Sequence, residues 1–169
     1  ESERFELKLI GEPGNYPQDG SETSARGLDE SFDPNFAGQS LKFAGPEDGS
    51  WDPRVGFQNI FYFVSKGSSV NGNSALSRVW KLTFDDIENP LAGGVLEMIH
   101  QYDGSYDNVR VSDDGMHLFV QEDLGGDPEL SRILVWDLNT GRYEEVAAFE
   151  GETFYPNGDS FLTTNEESS

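Results

Sequence analysis

The feature that most constrains this chain is an internal repeat. Two successive segments each carry four short apolar runs in the same order. The first reads EDGSWDP (47–53), IFYFVSK (60–66), SRVWKLTF (77–84) and VLEMIHQ (95–101). The second reads DNVRVS (107–112), HLFVQED (117–123), SRILVWDL (131–138) and YEEVAAF (143–149). Ser77-Arg78-Val79-Trp80 and Ser131-Arg132-Ile133-Leu134 correspond at an offset of 54, and Ile60 and His117 at 57. A third unit opens with Gly158-Asp159-Ser160-Phe161-Leu162-Thr163-Thr164. Runs of this length and composition, bounded by turn formers, predict strands. Asp113-Asp114-Gly115 and Asn139-Thr140-Gly141 are tight-turn signals between consecutive strands.

A unit of about 40–50 residues with four strands is the pattern of a propeller blade. Blades stack face to face, so both sides of a strand can be apolar. Ile60-Phe61-Tyr62-Phe63-Val64 and Ile133-Leu134-Val135-Trp136 read that way rather than as a clean alternation. The expected fold class is all-β: a β-propeller fragment of about two four-stranded blades with parts of neighbouring blades. The alternative is a β-sandwich with accidental likeness between its hairpins. Two blades cannot close a ring, which takes about four or more. Residues 45–169 are therefore expected to be part of a longer protein, or to rely on an associated chain to cover open faces and edges. Residues 1–44 read as a strand over Arg4–Ile10 followed by a long polar excursion over 11–40. Loops of that length usually carry function or move.

The net charge of −21, from 32 acidic and 11 basic residues, excludes nucleic acid as a partner, because nothing would neutralise its phosphates. No apolar run approaches the roughly 20 residues of a membrane span. With no cysteine, disulfides and thiolate metal sites are excluded within these residues. Most of the acids read as a solvated surface. Those at special loop positions could instead hold hard cations such as calcium.

GxSxG, phosphate-loop, HExxH and EF-hand motifs are absent. The two histidines, His100 and His117, fall in different predicted strands and read as structural or surface residues. What remains is a set of acidic loops at equivalent points of the repeat: Pro46-Glu47-Asp48-Gly49, Tyr106-Asp107-Asn108, Gln121-Glu122-Asp123 and Asn165-Glu166-Glu167. Innermost propeller strands border a central channel, so their ends converge on one face. Carboxylates gathered there repel unless a cation compensates them. Calcium suits such a site because it takes six to eight oxygens, amide oxygens such as those of Asn108 and Gln121 included. The competing reading is that Glu47, Asp48, Asp107 and Glu122 cap turns.

GPEDGSWDPR (45–54), FYFVSK, SRVWKLTFDDIENPLAGG (77–94), DNVRVSDDG (107–115), LFVQED (118–123) and FLTTNEESS (161–169) occur in the order seen in one family. Over about residues 41–169 the chain resembles the later part of the PhoX-type bacterial alkaline phosphatases, also catalogued as a family of unknown function. The resemblance implies a secreted or periplasmic β-propeller that cleaves phosphate monoesters with calcium and iron held by acids in its channel. Carried over by motif, the implied metal ligands are Glu47, Glu166 and Glu167, with Glu122 and Asp107 next. Asn165 departs from the family pattern, which has Asp there. The family's iron-binding cysteine and basic catalytic environment would lie largely outside these residues; Arg54 and Arg110 are the nearby basic candidates, and a surface role is the favoured reading for either. Two other readings stand beside it: a non-catalytic, calcium-stabilised surface propeller that binds a partner, and a lactonase-like propeller hydrolase.

Overall fold

Ile60, Tyr62 and Val64 point to one side of their strand, and Phe61 and Phe63 to the other. The architecture follows from having apolar groups on both sides. The computed structural model describes residues 2–7, 43–67, 69–70, 73–74, 76–102, 104–124, 130–161 and 163. The strands are β1 (Ser2–Phe5), β2 (Pro46–Trp51), β3 (Ile60–Ser65), β4 (Ser69–Val70), β5 (Asn73–Ser74), β6 (Ser77–Phe84), β7 (Gly94–Tyr102), β8 (Tyr106–Val111), β9 (His117–Glu122), β10 (Arg132–Asp137) and β11 (Tyr143–Ala148). One short helix, α1 (Gly151–Phe154), follows.

Two antiparallel sheets dominate, in orders β1-β7-β6-β3-β2 and β11-β10-β9-β8, with a small β4-β5 ribbon between β3 and β6. Each is a meander of four consecutive main strands; β1 adds a fifth to the first sheet. The all-β expectation holds, and all eight strands of the repeat are present. The described residues form no closed ring. No helix among them is long and apolar enough to cross a membrane.

The sheets pack through β2 and β3 against β8. Ile60, Tyr62, Val64 and Val79 of the first sheet meet Tyr106, Val109, Val111, Leu118, Val120, Leu134 and Trp136 of the second. Val64, Val79, Leu118 and Val120 are wholly buried, each worth about 1.5–3 kcal/mol of transfer free energy. The seam between the first strands is also polar: Val109 N donates to Asp48 Oδ2 (3.2 Å) and Val111 N to the buried Ser50 Oγ (3.1 Å). On the far side of the first sheet, Phe5, Phe63, Phe84 and Leu96 form a second cluster with Phe43, Phe61, Trp80 and Leu82. Gly49 lies beneath the Phe61 ring, where any Cβ would collide.

The two predicted tight turns carry the expected chemistry. Asp114 Oδ1 accepts from Met116 N and Asp137 Oδ1 from Asn139 N, while Gly115 (φ 67°) and Gly141 (φ 70°) take left-handed backbone. Two expectations need correction. The N-terminal strand ends at Phe5 rather than running to Ile10, because Phe5 pairs with Gly94, the first residue of β7, and the ladder has no further partner. Lys8–Ile10 and the 11–40 excursion lie outside the described residues. Gly158–Phe161 does not open a third strand. Its backbone folds back instead, with Gly158 N donating to Tyr155 O and Ser160 N to Glu152 O.

Candidate functional site

β2 and β8 begin, and β3 and β9 end, at the same rim: Pro46 pairs with Ser65 and Tyr106 with Glu122. Acids from both sheets gather there around one cation, Lys66. Its Nζ donates to Asp123 Oδ2 at 2.8 Å and stands 4.0 Å from Asp107 Oδ1. Partial burial works against its charge, but the hydrogen bond to Asp123 and the fields of Asp123, Asp107 and Glu47 outweigh it. Lys66 is held above the ordinary lysine value. The structure thus brings the predicted Glu47 and Asp107 to one place, Glu47 as an exposed residue of β2. Asp107 Oδ2 also accepts from Asn108 Nδ2 (3.0 Å).

Glu122 is placed differently. It alternates with Leu118 and Val120, so it points between the sheets and is wholly buried. Arg132 stands opposite on β10 and grips it: Nε to Oε2 at 2.8 Å, a terminal nitrogen to Oε1 at 2.7 Å, and its backbone N to Oε2 at 3.1 Å. These bonds raise the Arg132 guanidinium above its ordinary value. Gly104 makes room for the pair; a Cβ there would meet Glu122 Oε1 at 2.5 Å. Both carboxylate oxygens are committed to this structural pair, not presented to a metal at the rim. Glu166 and Glu167 lie outside the described residues.

Arg54 is tied in the same manner. Its Nε and a terminal nitrogen bond both oxygens of the buried Asp52, at 3.0 and 2.7 Å. Burial pushes the Asp52 carboxyl up, but the bonds and charge of Arg54 more than offset it and leave it below its usual range. Arg110 has no such partner among the described residues. It is exposed and lines an open pocket of about 430 Å³ beside the β2–β8 seam.

His100 bears out a structural placement. It packs against Trp136 and Tyr143, with centroids at 5.0 and 4.7 Å, and burial lowers its pKa. Its Nε2 and the Tyr106 hydroxyl are buried without a hydrogen-bond partner among the described residues.

Among the described residues, no group of three or more His, Cys, Asp or Glu side chains could hold a metal. The described rim alone therefore does not fit calcium or iron: an ammonium already stands among its carboxylates. Sequence reasoning passed over Lys66 and named Asp123 only within the Gln121-Glu122-Asp123 loop, not as a site residue, yet the two form the rim's central pair. Their signal was positional, since each directly follows an apolar strand whose end lies on that rim. No protein-family model matches the chain, and no curated protein sequence matches it.

Proposed function

We propose that this chain is two blades of a secreted β-propeller phosphomonoesterase of the PhoX type, dependent on calcium and iron. One observation carries the reading: the first strands of two successive four-stranded meanders lie side by side and bring Glu47, Asp107 and Asp123 to one rim. In a closed ring, β2 and β8 would border the channel. The motif series from GPEDGSWDPR to FLTTNEESS supports the same family. Metal ligation would need further oxygens, from Glu166 and Glu167 and from the rest of the longer protein. Bound cations polarise a phosphoryl group and reverse the repulsion that acids exert on a phosphate ester.

The test is release of phosphate from p-nitrophenyl phosphate by the full-length protein, with calcium and after chelation. Turnover that depends on calcium is expected. No turnover while elemental analysis shows metal bound would refute the enzyme.

A second reading is a non-catalytic propeller that binds a partner. It is favoured by Lys66, which compensates part of the rim charge without any metal. Thermal stabilisation by calcium with no turnover would select it.

A further inference from the structure

The described cations are nearly all spoken for. Arg4, Arg54, Lys66, Lys81 and Arg132 each have a carboxylate partner, and Arg78 lies over the Trp80 ring. Neither Arg110 nor the exposed Arg142 has an ion-pair partner among the described residues, and Arg110 opens into a concave space. That pocket, of about 430 Å³, runs from Asp48 on β2 across Asn108 and Arg110 on β8 to Phe119 and Gln121 on β9. Its size suits a small organic ligand, for which pockets of about 300–1,000 Å³ are usual. Asp48 does not answer Arg110, since its Oδ2 accepts from Val109 N at 3.2 Å and no ion pair joins the two side chains.

We propose that this pocket binds the phosphoryl group of a phosphate monoester, with Arg110 as its principal donor. A guanidinium presents a planar fork of N–H groups that matches two phosphoryl oxygens. The half-exposed Phe119 ring offers a surface for the alcohol portion. On a chain of net charge −21, an anion gains contact only where a cation is not already neutralised. Arg54, the other arginine near the motif series, is excluded because Asp52 occupies its donors. The choice of a phosphate ester over other small anions rests on the phosphatase reading; the anion pocket itself does not.

The experiment titrates phenyl phosphate into the ¹⁵N-labelled full chain, without and with calcium, alongside turnover of p-nitrophenyl phosphate by the full-length protein. Shifts are expected at the Arg110 side chain and at amides of β8 and β9, weakening with salt. Arg110→Gln should weaken binding at least about tenfold, the loss typical of a charge-assisted bond. Arg142→Gln, in the exposed β10–β11 turn, should leave it unchanged. A folded Arg110→Gln variant with undiminished affinity, shifts elsewhere, or no binding would each overturn the pocket. Binding at Arg110 without turnover would sustain the pocket while defeating the phosphatase reading. Turnover unaffected by Arg110→Gln would do the reverse.

Discussion

Replacing Arg132 with Met tests whether Glu122 is a structural group or a displaced metal ligand. The substitution keeps the aliphatic stem and removes the guanidinium. Glu122, with no exposed surface, loses its bonds at 2.8 and 2.7 Å and keeps only the Arg132 backbone N–H at 3.1 Å. Removing one partner of a buried pair costs about 3–5 kcal/mol, because the remaining charge is stranded. The converse change, Glu122→Gln, is milder at about 1–2 kcal/mol. The Arg132 side chain is 25% exposed, lies over the Tyr102 ring and has Glu145 at 3.9 Å, so its charge keeps a way out. Urea unfolding followed by tryptophan fluorescence measures both. An Arg132→Met variant within about 0.5 kcal/mol of the parent, a margin usual for ordinary surface changes, would refute the structural pair. Full restoration of that variant by calcium would reinstate Glu122 as a ligand.

Two further outcomes follow from the same geometry. Burial holds the His100 imidazole below its ordinary 6.5, so the folded state takes up a proton less readily than the unfolded chain. Stability should be full above about pH 6.5 and fall as pH drops through that value; His100→Phe should flatten this slope in urea midpoints measured from pH 5 to 8, and an unchanged slope would count against it. Lys66→Gln leaves Glu47, Asp107 and Asp123 uncompensated at the rim and should cost about 1 kcal/mol at low ionic strength, partly recovered by added salt or calcium; thermal midpoints insensitive to salt would contradict it.

Much of the fold was legible because repetition left a pattern at two scales. The offset of 54 between the Ser-Arg pairs marks equivalent places: Ser77 and Ser131 are both buried, and each ties a neighbouring loop, Ser77 Oγ donating to Lys66 O and Ser131 Oγ accepting from Leu124 N. Within a strand, alternation assigns the faces. It would also have placed Glu122 correctly, since a residue in step with Leu118 and Val120 cannot reach the rim. Its motif neighbour Asp123, one step beyond the strand, does reach it. The opening of a third strand was misread because Gly158–Phe161 has a turn former before an apolar residue, as strands do. Nothing local reveals that Ser160 N–H bonds back to Glu152 of α1 and Gly158 N–H to Tyr155 just beyond it.

The β2–β8 seam sets unlike charges close together. At the rim, three carboxylates (Glu47, Asp107, Asp123) against one ammonium (Lys66) leave a surplus of two negative charges. Three positions along β8 from Asp107, or about 10 Å of strand, stands Arg110 with no partner among the described residues. The phosphatase reading proposed above would use such a separation, because its substrate would be an anion held by one cation while another offsets the charge of its transfer. If ligands beyond the described residues complete a calcium site at the rim, as that reading requires, calcium should tighten phenyl phosphate at Arg110 rather than compete with it. If calcium leaves that affinity unchanged, the two features are independent, and the seam loses its claim to be one site.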